Sequence, residues 1–108
     1  MIAPEAAARL KGLLGLAVRA EQAGFGTEGC LNSIRRAQCA MVLLDGGASS
    51  GTKDKIHSAC ELHGIRCCEL PEGMLGQATG KPGVVMTVKE GGLAQQIRNR
   101  LPDSDPVG

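Results

Sequence analysis

Apolar residues recur at helical spacing near the start of the chain: Ala6, Leu10, Leu13, Leu14, Ala17 and Val18. With Pro4 suited to a first turn, they predict a helix over about residues 4–20, ending in the Gln22-Ala23-Gly24 stretch. Phe25-Gly26 reads as a short strand, and Thr27 as the N-cap of a second helix over about residues 28–37. Ala40 to Leu44 is a short continuous apolar run, the pattern of a strand buried on both faces. After a glycine- and serine-rich loop, Ile56, Ala59, Cys60 and His63 share one helical face between Thr52 and His63, and Gly64 can supply a left-handed stop. Ile65 to Leu70 is strand-like, Glu72 to Thr79 a short helix, Val84 to Val88 a strand, and Gly91-Gly92 opens a last helix through Arg100. Pro102 onward has the composition of a loose tail.

Strands alternating with helices predict a sheet between helical layers, with mostly parallel crossovers. Ligands meet such folds at the loops leaving the strand ends, and three segments there stand out for backbone freedom: 26–29, 45–52 and 80–83. No internal repeat or interdomain linker breaks the pattern, so residues 1–101 are expected to form one domain and 102–108 a flexible tail.

The 108-residue length suits a single core that needs no staples. Five cysteines without a Cys-x-x-Cys pair indicate neither a disulfide framework nor a zinc ribbon. No stretch reaches the length of an apolar membrane span, and Met1 to Ala8 lacks the basic start and apolar run of a secretory signal, so the expected location is the cytoplasm. A formal net charge of +1 excludes a strongly basic surface that binds nucleic acid by bulk electrostatics. The single aromatic residue, Phe25, excludes readers that stack bases on aromatic platforms.

Three constellations carry candidate chemistry. Gly46 to Lys53 follows a strand and opens a helix as a phosphate loop would, but Thr52 precedes Lys53, the reverse of the Gly-Lys-Ser/Thr order that phosphoryl binding requires. The segment reads better as a strand-to-helix turn whose free amides and lysine suit any anion. His57, Cys60, His63 and Cys67 are zinc-ligand types, yet the first and third fall at i and i+6 and diverge by about 240° around a helix, so the two histidines do not easily share one ion with Cys60. No histidine is placed beside Cys30, Cys67 or Cys68, so a thiol nucleophile is not indicated. Gly26-Thr27-Glu28-Gly29 at a helix start, continued by Asn32 and Arg36 on the stripe that Gly29 begins, offers amides and short polar side chains to a phosphate or base edge.

At these residues the chain resembles the bacterial YlxQ-like members of the kink-turn-binding ribosomal protein family, which holds the archaeal L-seven-Ae and the eukaryotic L-thirty-e. The resemblance covers about residues 8–100 and rests on LKGLLGLAVRA, GTEGCLNSIRRAQCAMVLLDGGASSGTKDKI and LGQATGKPGVVMTVKEGGLAQQI. It implies an α/β fold, a three-layer α/β/α sandwich around a mixed four-stranded sheet, and a non-catalytic RNA-binding function.

In the RNA-binding relatives a Gly-x-Asn-Glu segment starts the second helix, a lysine follows three residues after the glutamate, and an Arg-Gly pair closes the helix. Laid on from Gly26, the Asn-Glu positions are Glu28 and Gly29, the lysine is Asn32 and the pair is Arg36-Ala37. The loop before the last strand, a second contact element in the relatives, falls on Gly80 to Val84; there Lys81 would meet phosphate and Val84 an extruded base, with Pro82 and Gly83 between them. Lys53 borders the same expected surface.

The expected RNA-binding residues are therefore Gly26, Thr27, Glu28, Gly29, Asn32, Arg36, Lys53, Lys81, Pro82, Gly83 and Val84. The expected partner is structured RNA, ribosomal RNA included, without DNA, membrane, metal or cofactor, bound by a monomer. The alternative is a protein-interaction module on the same scaffold with weakened RNA binding, motivated by the altered Glu28-Gly29-Asn32 site and the small net charge.

Overall fold

A computed structural model describes residues 4–101; the expected tail, 102–108, lies outside the described residues. The chain runs α1 (Pro4–Arg19), β1 (Ala23–Phe25), α2 (Thr27–Arg35), β2 (Met41–Asp45), α3 (Ser50–His63), β3 (Arg66–Leu70), α4 (Met74–Thr79), β4 (Val85–Val88) and α5 (Gly92–Arg100). No described helix is long and apolar enough to cross a membrane.

The four strands form one sheet in the order β1-β4-β2-β3. Only β2 and β3 are parallel, while β4 runs antiparallel to both β1 and β2, which corrects the mostly parallel arrangement that alternation suggests. The reason is the length of the link. A return crossover must span a five-residue strand, about 16 Å, whereas six-residue α4 rises only about 9 Å. β4 therefore enters at the end of the sheet where β3 leaves. The mixed sheet implied by the resemblance is the one observed.

Alternation along the strands sorts the core into two layers. Met41, Leu43, Cys68, Met86 and Val88 pack with Leu10, Leu14 and Ala17 of α1, Leu75 of α4 and Ile97 of α5. Val42, Leu44, Cys67 and Val85 pack with Cys30, Leu31 and Ile34 of α2 and Ile56 and Cys60 of α3. The result is a three-layer α/β/α sandwich, with α1, α4 and α5 on one face and α2 and α3 on the other. β2 is buried along its whole length, as its apolar run predicts. The neighbouring Cys67 and Cys68 point to opposite faces, and both are buried because both faces are covered.

Helix boundaries follow local backbone chemistry. α3 stops at Gly64 in the left-handed region, as expected (φ 68°). α1 and α2 stop without glycine: Glu21 and Ala37 take φ 57° and 53°. Each is followed by an amide that reaches back to the helix, Gln22 to the Ala17 carbonyl at 2.8 Å and Gln38 to the Ser33 carbonyl at 2.8 Å. Thr27 is not the N-cap of α2 but its first residue, and Gly26 belongs to the cap instead of to β1. The chain leaves β1 and turns sharply into the helix with φ 89° at Gly26, a conformation that a side chain at this position resists.

Candidate functional site

Strand register decides which loops meet. Asp45 lies opposite Leu70, Leu44 opposite Val85, and Phe25 opposite Met86. The C-terminal ends of β1, β2 and β3 and the N-terminal end of β4 therefore share one end of the sheet. From it emerge the start of α2, the 46–49 turn into α3, the turn before α4, and the 80–84 loop. The three segments singled out in the sequence lie side by side.

The start of α2 is open. No side chain caps it, and its first intrahelical bond is the Cys30 amide to the Gly26 carbonyl at 2.9 Å. The amides of Thr27, Glu28 and Gly29 thus precede the ladder, as the first amides of a helix must. Gly26, Glu28, Gly29 and Asn32 are exposed and Thr27 is half-buried, while Cys30, Leu31 and Ile34 turn inward. Arg36 continues the exposed stripe, but it caps the opposite end of α2, about 13 Å along the axis from Thr27. The structure does not bring it to the sheet end that holds Lys53 and Lys81.

The 80–84 loop is held against β1. Gly80 closes α4 with φ 71°, the Lys81 amide donates to the Thr79 hydroxyl at 3.2 Å, and the Val84 carbonyl accepts the Asp45 amide at 2.8 Å. Gly83 passes so near the Phe25 ring that an added Cβ would stand 3.5 Å from it. Lys81 and Pro82 are exposed, Gly83 and Val84 half-buried. The Lys81 ammonium makes no ion pair among the described residues.

The 46–53 turn differs from its sequence reading. Several of its amides are engaged: Gly46 donates to the Leu70 carbonyl at 2.8 Å, Gly47 to the Asp45 carboxylate at 2.8 Å, Ala48 to the Asp45 carbonyl at 3.0 Å and Thr52 to the Ser49 hydroxyl at 3.2 Å. Donors satisfied internally offer an anion little, so the turn is a weaker anion site than its glycine-rich sequence suggests. Lys53 is also engaged, with its ammonium 3.3 Å from the Glu69 carboxylate.

Sequence reasoning missed Asp45. It is buried at the end of β2, and its carboxylate accepts the amides of Gly47, Gly73 and Leu75 at 2.8 to 3.2 Å. One side chain thereby fixes the turn into α3 and the start of α4. The available signal was an aspartate closing an apolar strand before two glycines, an arrangement that favours a bond to an amide two residues on.

Other candidate chemistry is dispersed. His57 is half-buried, Cys60 is in the core and His63 is exposed; among the described residues no group of three or more His, Cys, Asp or Glu is placed to hold a metal ion. All five cysteine side chains are buried. Burial pushes the Cys30 thiol up to about 11, with the nearby Cys39 adding to the effect and hydrogen bonding to Thr87 opposing it. Burial also raises Cys39, helped by the charge of Glu90.

Comparison with known proteins adds to this geometry. Residues 8–97 match the ribosomal protein L7Ae/L30e/S12e/Gadd45 family. The chain is 31% identical over 90 residues to the RNA-binding protein YlxQ of Enterococcus faecium, covering 82% of this chain and 87% of that protein. It is 33% identical over 91 residues to the RNA-binding protein YlxQ of Bacillus subtilis, covering 82% and 91%.

Among solved structures, a protein with unknown function from Bacillus halodurans C superposes with a TM-score of 0.80 at 33% identity, covering 86% of this chain and 96% of that one. The Giardia lamblia 15.5kD RNA binding protein superposes with a TM-score of 0.71 at 18% identity, covering 93% and 88%, a likeness of fold. With the matched stretch running from α1 through the whole sheet into α5, the chain belongs to the ribosomal protein L7Ae/L30e/S12e/Gadd45 family, as a YlxQ-like member.

Proposed function

We propose that the protein is a non-catalytic RNA-binding protein that recognises kink-turn-like structured RNA, ribosomal RNA included, as a monomer in the cytoplasm. The observation that carries this reading is the convergence of the uncapped α2 start and the 80–84 loop at one sheet end, in a chain whose YlxQ relatives are named RNA-binding.

In this reading the amides and short side chains of Gly26, Thr27, Glu28, Gly29 and Asn32 enter the widened groove at tandem sheared G·A pairs. Lys81 meets phosphate, while Pro82, Gly83 and Val84 pack against an extruded base. Arg36 reaches the RNA only if the bound helix extends along α2, and Lys53 borders the face. Shape recognition of this kind asks for few phosphate contacts, which suits a chain of net charge +1 and predicts a shallow salt dependence.

The test is a calorimetric or gel-shift titration with a kink-turn RNA and a control lacking the G·A pairs, at stated salt. Tighter binding to the kink-turn supports the reading. Equal binding to both RNAs removes kink-turn recognition, and no binding to either removes the RNA function.

A further inference from the structure

The sequence alone presents Lys53 as one more cation for the RNA backbone, but the structure gives it a resident partner. Lys53 stands in the first turn of α3, where its amide donates a hydrogen bond to the Ser49 carbonyl at 2.9 Å. Glu69 is the one exposed residue of β3, on the face of the sheet that α2 and α3 cover, since its neighbours Cys68 and Leu70 belong to the other layer. The two side chains meet at 3.3 Å, with 27% of the Lys53 and 41% of the Glu69 side chain accessible.

We infer that Glu69 is an affinity-limiting residue that withholds Lys53 from the RNA backbone. This rests on the RNA-binding reading above. The pair is preformed between two rigid elements, so a phosphate would have to displace a carboxylate already in place. It would also approach that carboxylate, a like charge whose repulsion offsets the gain. A phosphate contact by Lys53 would carry no information about RNA shape, because every helix offers phosphates. Neutralising it intramolecularly leaves discrimination to the α2 start and the 80–84 loop. Withholding it lowers affinity for every RNA alike and leaves the preference between RNAs to those two segments.

The experiment compares the full chain with Lys53→Ala, Glu69→Gln and the double variant. Fluorescence anisotropy is measured with a kink-turn RNA and with a straight duplex of equal length, across a range of salt concentrations. Lys53→Ala alone should leave both affinities within about twofold. Glu69→Gln should tighten both RNAs by about two- to fivefold, the range of an exposed ion pair. It should also steepen the log–log salt slope by about 0.7 to 0.9, the signature of one added phosphate contact.

The gain should vanish in the double variant. A Glu69→Gln effect that persists without Lys53, or a Lys53→Ala loss as large in the wild-type background as in the Glu69→Gln background, overturns the inference. A purely structural Glu69 would shift thermal midpoints and leave the salt slope unchanged. If the wild type fails to favour the kink-turn, the shape-recognition reading falls, while the coupling measured on the duplex still decides the role of Glu69. Absence of RNA binding by all four proteins removes both.

Discussion

The Asp45 carboxylate accepts the Gly73 amide through both of its oxygens, at 3.0 and 3.1 Å, across 28 residues of sequence. The same group holds Gly47 and Leu75, so it ties the turn into α3 to the start of α4. Replacing it with alanine leaves these donors without their acceptor, two of them beside the packed start of α4. Asp45→Ala should lower stability by about 2 to 4 kcal/mol, measured by urea unfolding. Asp45→Asn should recover part of the loss, because its amide oxygen still accepts while its NH2 faces other donors.

Ala37 occupies the position where the RNA-binding relatives close the second helix with glycine, and it takes φ 53° to do so. Strain from the Cβ in this region is relieved by glycine. Ala37→Gly should therefore raise stability, by about 1 kcal/mol after the loss of unfolded-state restriction, which shows as a higher denaturation midpoint. Because Ala37 lies beyond the far end of α2, RNA affinity should stay unchanged.

Gly29 presents the reverse case. It lies within α2 with ordinary helical backbone, and an added Cβ meets nothing within 4 Å. Gly29→Ala should stabilise the fold by about 0.5 to 1 kcal/mol. On the RNA-binding reading the same methyl enters the space that the RNA occupies, so the variant should be more stable and bind more weakly. Thermal melts and RNA titrations on one preparation check the opposed signs.

Lys81 is exposed and free of ion pairs among the described residues. Lys81→Glu should change stability by less than about 0.5 kcal/mol while weakening RNA binding and flattening its salt dependence. Gly26 is less suitable for such a test: its φ of 89° means that a bulky replacement perturbs the backbone as well as the surface.

Cys30 links the core to alkaline stability. Its folded value of about 11 lies above the ordinary 9.0, so the folded state holds the proton more tightly than the unfolded chain does. This contribution is fully present below about pH 9 and is lost as pH rises through about 11. Unfolding free energies from urea titrations between pH 8 and 11 should fall, by up to about 2 to 3 kcal/mol from this group. Cys30→Ala should start from lower stability, through lost packing, and decline less steeply.

Several elements were legible because one residue type at one place decides them. The spacing of Leu10, Leu14 and Ala17 sets the buried stripe of α1, and the apolar run before Asp45 admits only a strand covered on both sides. Gly64 marks the end of α3. The helix stops at Glu21 and Ala37 carried no such mark, because the left-handed turn there is imposed by the packing that follows and not by a permissive residue. Thr27 was misplaced as a cap for a related reason: the sharp exit from β1 requires positive φ one residue earlier, and glycine alone adopts it readily.

The sequence by itself determined the layered α/β architecture, the run of elements and the segments with unusual backbone freedom, since periodicity and turn chemistry are local properties. Only the tertiary structure decided that β4 runs antiparallel between β1 and β2, because direction depends on whether a short helix and loop can carry the chain back across the sheet. It also decided the partners. Lys53 meets Glu69 across 16 residues, and Asp45 meets Gly73 across 28, contacts set by strand register and invisible to any window of sequence.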